Sequence, residues 1–438
     1  MKSSIKIIIA LFLCSINSCF AQQNIKIVQA KTQRVSIKDG DNPITKWWEY
    51  LQKDVKPVVY HIAKINQNRK VIFYTDIDSI SFNVKPNNKY DFKVLLNAKD
   101  TCYAQISTVI PSYYKDCKNC KITSDTIPFT LGNDHYIHIK GKVNNSEIID
   151  FIFDTGAGTC VLNERGQKIA KIKLDGQTDG EGTSGFTVDQ TSSSNLLQLS
   201  ALKWKNLSLT YIDYKGAINT DGVLGYNIFE DKVVEIDYEK KLLIIHSEMP
   251  TTIAGYSKQQ IRHDLNGTFI QATLNNGVKD FTGWYLFDTG GSLTVQVSGD
   301  YAKNNELYST MKNLGKSSAT GNGKGFYQNE IVELPLLKLF GYSIPQVPIH
   351  ISSSDKSFYG EAGIIGNNLL KRFNVIIDYP KATMYLKPNS LMALSFKKKD
   401  SKSLDLVVGL SLVATLLIIL IFMYKRRKNS STILFSKN

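Results

Sequence analysis

Phe151-Ile152-Phe153-Asp154-Thr155-Gly156 and Tyr285-Leu286-Phe287-Asp288-Thr289-Gly290 state one pattern twice: a hydrophobic run ends on an Asp and turns through Thr-Gly. One such tripeptide would carry little information. Each copy, however, is followed at similar distance by a glycine-apolar-apolar-glycine run, Gly222-Val223-Leu224-Gly225 and Gly363-Ile364-Ile365-Gly366. These runs lie 141 residues apart, as do Ile236-Asp237-Tyr238 and Ile377-Asp378-Tyr379, while the two acids lie 134 apart. Each unit closes on an apolar strand, Leu242 to Ile245 and Thr383 to Leu386. Upstream, Ile137 to Val143 runs into Asn144-Asn145 and Phe269 to Leu274 into Asn275-Asn276, the pattern of hairpins that feed the strand carrying the acid. The repeat predicts a duplicated lobe built to bring two carboxylates together.

A strand that stops at Asp and turns through Gly puts the carboxylate on a tight loop, because Gly accepts backbone angles that a side chain resists. The Thr hydroxyls, at Thr155 and Thr289, can hydrogen-bond within the loop or across to the other copy. Two carboxylates in contact repel when both are charged, so Asp154 and Asp288 should share one proton and titrate as a unit. That arrangement suits hydrolysis by an activated water, without metal, cofactor or covalent intermediate. Between each acid and its later glycine run lies a glycine-rich stretch, Gly176 to Gly185 and Gly315 to Gly325. Such stretches read either as surface hairpins or as flaps over a bound substrate, with Gly182, Gly185 and Phe186 at the candidate tip of the first. Gly180, Gly182 and Gly185 spell G-x-G-x-x-G, but no βαβ unit surrounds them, which excludes dinucleotide binding.

These residues carry a resemblance. Residues 130 to 388 resemble a two-lobed aspartic protease of the pepsin and retropepsin superfamily, whose active-site loops are matched by Asp154-Thr155-Gly156-Ala157 and Asp288-Thr289-Gly290, and whose hydrophobic-hydrophobic-glycine supports are matched by Gly222 to Gly225 and Gly363 to Gly366. The resemblance implies a β-rich bilobal fold, a cleft for an extended peptide, and endopeptidase activity with Asp154 and Asp288 as the catalytic pair. Ala157 makes the first loop similar to the retropepsin form. The second departs further, with Gly291 where many relatives carry Ala, Ser or Thr, and the first glycine-rich stretch holds no Tyr.

Other chemistries find less support. His135 and His138 are expected on opposite sides of a strand, which disfavours a metal site. Gly-x-Ser-x-Gly does not occur, and Cys160 is expected to be buried or disulfide-linked rather than nucleophilic. The net charge of +14 invites a nucleic-acid partner until it is located: +7 lies from Lys397 onward and +2 in Lys2 and Lys6, leaving +5 dispersed over residues 22–396 without a basic stripe.

The termini set the compartment. Lys2 and Lys6, an apolar run from Ile7 to Leu13 and Cys19-Phe20-Ala21 have the layout of a signal peptide removed near Ala21, with lipidation at Cys19 as the alternative. Leu406 to Tyr424 is a charge-free run of 19 residues followed by Lys425-Arg426-Arg427-Lys428. At about 1.5 Å per residue it spans roughly 28 Å, enough for a bilayer core, and its basic end reads as cytoplasmic. An oxidising compartment permits a disulfide among Cys102, Cys117 and Cys120, with the pairing open.

The expected fold is therefore mainly β: signal peptide 1–21, a small β-rich domain 22–128, protease-like lobes 129–250 and 251–390, a basic juxtamembrane linker 391–405, a transmembrane helix 406–424 and a basic tail 425–438. The expected protein is a membrane-anchored aspartic endopeptidase, monomeric in its catalytic unit, acting on peptides on the extracytoplasmic side. Two rivals stand beside it: a catalytically silent peptide-binding module, and a membrane-tethered adhesion or receptor protein whose N-terminal domain binds the partner.

Overall fold

Alternation of apolar and polar side chains runs through most of the chain, and the computed structural model forms strands wherever it does. The structure describes residues 25–40, 48–49, 57–62, 68–114, 124–182, 185–214, 218–264, 267–307, 311–320, 326–353 and 361–396. The chain divides into two units, residues 1–392 and 393–438, and the following concerns the first. The expected leader through Ala21, the span Leu406 to Tyr424 and the basic tail fall outside the described residues. Among the described residues no helix is long and apolar enough to cross a membrane.

The N-terminal strands β1 (Lys26–Ala30), β2 (Arg34–Asp39), β3 (Trp48–Glu49), β4 (Val58–His61), β5 (Arg69–Thr75), β6 (Ser79–Val84), β7 (Lys89–Leu96) and β8 (Asp100–Ser107) form two four-stranded sheets, ordered β1-β7-β8-β4 and β3-β2-β5-β6. Alternate residues of each sheet share one core: Phe73 of β5 meets Phe92 of β7 edge-on at 4.9 Å and Tyr60 of β4 at 5.1 Å. Cys102 is buried in that core, in register with Val94, whereas Cys160 is buried in the next domain. The expected disulfide among Cys102, Cys117 and Cys120 involves residues outside those described, since Cys117 and Cys120 lie there. β9 (Tyr113–Tyr114) then leaves the sandwich.

The first lobe follows as β10 (Ser124–Pro128), β11 (Thr130–Leu131), β12 (Ile137–Val143), β13 (Ile149–Asp154), β14 (Val161–Leu162), a helix Glu164–Ala170, β15 (Gly176–Gly182), β16 (Gly185–Leu199), β17 (Leu202–Tyr211), β18 (Gly222–Gly225), β19 (Val233–Asp237) and β20 (Leu242–His246). Asn144 and Asn145 join β12 to β13 at φ of 51° and 61°, the left-handed pair that a tight hairpin turn requires. The sheet runs β11-β12-β13-β18-β14-β17-β16-β15 and closes on itself through β12–β16. β9 adds to it on β17, where Tyr113 lies 5.2 Å from the buried Trp204. Trp204 meets Phe229 at 5.8 Å, and Phe229 meets Phe153 of β13 at 5.7 Å, so an aromatic ladder links the sandwich's exit strand to the acid's strand.

The second lobe repeats this with β21 (Ser257–Gln260), β22 (Arg262–Asp264), β23 (Gly267–Asn275), β24 (Asp280–Asp288), β25 (Val295–Val297), a helix Gly299–Asn304, β26 (Lys312–Thr320), β27 (Phe326–Leu339), β28 (Tyr342–Ser352), β29 (Gly363–Gly366), a one-turn helix Asn367–Leu370, β30 (Phe373–Asp378) and β31 (Thr383–Pro388). Its order, β22-β23-β24-β29-β25-β28-β27-β26 with β23–β27 closure, matches the first lobe strand for strand.

A third sheet, β10-β20-β19-β30-β31-β21, takes three strands from each half. Its centre is the antiparallel pair β19–β30, with Val234 opposite Ile377 and Ile236 opposite Val375. β10, assigned from sequence to the N-terminal domain, therefore works with the lobes: its Ile127 pairs with Leu243 of β20.

Candidate active site

Phe151, Ile152 and Phe153 are buried in succession, so both faces of β13 are covered, while its edges pair with β12 and β18. A strand covered on both faces needs a continuous apolar run, and the run must end where its flanking partner ends. That point is Asp154, opposite Gly225 of β18. In the second lobe Asp288 lies opposite Gly366 of β29. The end glycines of β18 and β29 are required by close approach. A Cβ on Gly225 would sit 2.6 Å from Ala157 O, and one on Gly366 would sit 2.5 Å from Leu293 O and 2.8 Å from Gly291 O. The residues that follow hold the acid loops from behind, Tyr226 N–H donating to Ala157 O at 3.0 Å and Asn367 N–H to Gly291 O at 2.6 Å.

The two loops are joined through their threonines. Thr155 Oγ1 donates to Phe287 O and Thr289 Oγ1 to Phe153 O, each at 2.8 Å. Each hydroxyl in turn accepts the other loop's backbone, Thr289 N–H at 3.0 Å and Thr155 N–H at 3.1 Å. Both threonines are 0% exposed, so these four cross-lobe bonds are made away from water, where a lost partner is costly. The consequence is a fixed separation between the two acids.

Gly156 N–H and Ala157 N–H donate to Asp154 Oδ1 at 2.7 and 3.1 Å, and Gly290 N–H donates to Asp288 Oδ1 at 2.8 Å. The glycines of each loop also lie against the opposite acid. A Cβ on Gly156 would be 2.9 Å from Asp288 Oδ1, and one on Gly290 would be 2.6 Å from Asp154 Oδ1. Each carboxyl keeps a partly open face, yet both are enclosed by protein on their other sides. Enclosure pushes both pKa values above the ordinary carboxylate range. For Asp154 the rise is opposed by its hydrogen bond with Asp288 and by N–H groups of Gly156, Ala157 and Gly290. Asp288 is raised further, because the neighbouring Asp154 charge adds to burial. Two carboxyls raised together in this way share one proton and titrate as a pair. At Asp288 the rise is opposed by the N–H groups of Gly290 and Gly291, as it is at Asp154 by those of Gly156 and Ala157.

Gly182 and Gly185 face each other across the end of the β15–β16 hairpin, and Phe186 pairs with Glu181 one step down. The second lobe has a matching hairpin, β26–β27, ending in Thr320 opposite Phe326. Sequence reasoning missed Tyr136, which stands one residue before β12. Burial raises its pKa, its hydroxyl bonds Ser292 of the second acid loop, and the charges of Asp288 and Asp154 act on it. No spacing rule marks a tyrosine that reaches the site from the preceding hairpin. His135 was also misplaced: it sits in the turn before the strand at φ 75°, and its Nδ1 accepts from Lys371 Nζ at 2.8 Å.

A family model described as aspartyl protease matches residues 139–228, the stretch from β12 through the first acid loop and hairpin to the first support. Among solved structures the chain is similar to an aspartic proteinase from Irpex lacteus, at 13% identity and a TM-score of 0.43, over 63% of this chain and 100% of that one. No curated protein matches. The family match and the doubled acid-loop topology define an aspartic-protease-like fold.

Proposed function

We propose that the chain is an aspartic endopeptidase that hydrolyses peptide bonds with Asp154 and Asp288 acting on one water. The observation that carries this reading is the reciprocal threonine clasp, which holds two carboxyls in hydrogen-bond contact with unequal surroundings. In this reading ionised Asp154 takes a proton from the water as its oxygen bonds to the peptide carbonyl carbon. Asp288 gives its proton to the carbonyl oxygen. Asp154 then returns its proton to the amide nitrogen, the C–N bond breaks, the diol oxygen gives its proton back to Asp288, and the acid and amine products separate. Both halves of the site lie on one chain, so a monomer suffices. The glycine-rich hairpin bearing Gly182, Gly185 and Phe186 serves as the substrate flap.

The test is cleavage of a diverse peptide mixture by the purified chain from acidic to neutral pH, beside Asp154→Asn and Asp288→Asn. Each variant should lose about 10²–10⁴-fold in rate, the usual contribution of a positioned acid or base. Undiminished cleavage by both variants sinks the assignment, and peptide binding without cleavage by the wild type favours a silent binding module.

The same proposal places the enzyme on a membrane, lobes outside the cytoplasm. Its support is the pairing of a leader-like N-terminus with the apolar run Leu406 to Tyr424 and its basic end. Full-length chain should resist alkaline extraction from membranes, and a chain ending at Phe396 should not; equal extraction of the two removes the anchor.

A further inference from the structure

The segment behind each acid loop is gripped by the opposite lobe, and the two grips differ in chemistry. Asn367, which supports the Asp288 loop, is held by hydrogen bonds: it accepts from Tyr238 Oη and donates through Nδ2 to His135 O, both in the first lobe. The residue at the same offset in the first lobe is Tyr226, and the counterpart of Tyr238 is Tyr379. Here the grip is aromatic. The Tyr226 ring lies 6.4 Å from Tyr379, stacked, and 5.1 Å from the edge-on ring of His263, which meets Tyr379 at 5.2 Å.

His263 is set for this contact by one hydrogen bond and by packing. Nδ1 lies 2.9 Å from Thr268 Oγ1, whereas Nε2 stands 3.4 Å from Glu230 Oε1, just beyond the first lobe's support segment, without a hydrogen bond. Its side chain is 4% exposed, so its orientation is dictated by Thr268 and the two tyrosine rings and not by solvent. Tyr226 transmits the contact to the acid loop in two ways. Its N–H holds Ala157 O at 3.0 Å, and its hydroxyl closes on Gly158, where a Cβ would stand 3.3 Å away. Ala157 N–H is itself a donor to Asp154 Oδ1.

The geometry points to His263 as a positioning residue for Asp154: a second-lobe imidazole, held by Thr268 and packed edge-on against Tyr226 and Tyr379, fixes Tyr226 and through it the backbone donors of the first acid loop. It touches neither substrate nor reacting atoms. Its effect falls on the donors that orient the Asp154 carboxyl, so it governs turnover more than binding. This assignment rests on the peptidase reading for its kinetic consequence, but not for its structural one.

The experiment compares full-length wild type, His263→Ala, Thr268→Val and the double variant by two readouts: steady-state peptide cleavage, and hydrogen exchange resolved to the loops 154–159 and 288–293. The expected result for His263→Ala is a kcat lower by about 10- to 100-fold, the penalty of a misplaced catalytic group, with KM within about two-fold. Exchange should rise at 154–159 and stay unchanged at 288–293. Thr268→Val should show a smaller loss of the same kind, and the double variant should lose no more than His263→Ala, since one clamp is being removed twice. If His263→Ala fails to fold, Thr268→Val decides alone. Unchanged exchange at 154–159 in the folded variants, or a rise spread equally over both loops, overturns the proposal. If wild type cleaves nothing, the peptidase reading falls while the exchange result still decides the role of His263.

Discussion

At the scale of single residues, Asp154 and Asp288 have one identity and two environments, and they share one proton. Because folding raises the Asp288 pKa, the folded state keeps a proton that the unfolded chain has released. Stability is then greatest below the ordinary carboxylate range and declines as pH rises through it toward the folded value. Asp288→Asn removes that penalty while keeping a donor to Asp154. Its melting temperature should exceed that of wild type at pH 7, and the gap should close by about pH 3, below the ordinary Asp value; a gap that widens on acidification contradicts the protonated assignment. The acids and their Thr-Gly partners were legible in the sequence because each tripeptide is a local necessity of a strand ending in a tight loop. Tyr136 and His263 were not, since what matters about them is which distant ring or hydroxyl they meet.

At the scale of elements, β18 and β29 show why four-residue strands can be read with assurance. Their end glycines are dictated by the acid loop lying on them, and their central residues by burial on both faces. Gly225→Ala would drive a methyl group into Ala157 O, backbone that cannot step aside. A cost of about 1–3 kcal/mol in chemical denaturation is expected, with activity falling further than stability because the displaced loop carries Asp154. A variant as stable and active as wild type would show the loop to be free of its support. The Asn144-Asn145 hairpin was likewise visible, as its left-handed turn follows from residue type. β10 was visible as a strand but not as a member of the six-stranded sheet: alternation reports that one face is buried, never against which partner. The pairing of β19 with β30 joins residues some 140 positions apart and leaves no local trace.

At the scale of the whole molecule, the β-rich N-terminal stretch and the two repeated units could be told apart in the sequence by alternation and by the internal repeat, whereas their joints could not. The aromatic ladder from Tyr113 through Trp204 and Phe229 to Phe153 is such a joint, built from four residues that no periodicity connects. The six-stranded sheet is another, and it bears on covalent continuity. The only peptide linking β20 to β21 runs over an exposed stretch that includes Thr251 and Thr252. Cutting the chain there would sever the lobes' connection but leave β19 hydrogen-bonded to β30, and each threonine hydroxyl still bonded across the divide. A protease site inserted at that point and cleaved should give two polypeptides that co-elute and retain turnover, parting only under denaturant or on strong dilution; separation at micromolar concentration would show the linker to be indispensable. What the sequence writes as one chain would then behave as a two-subunit enzyme, its second-order assembly replacing a first-order fold.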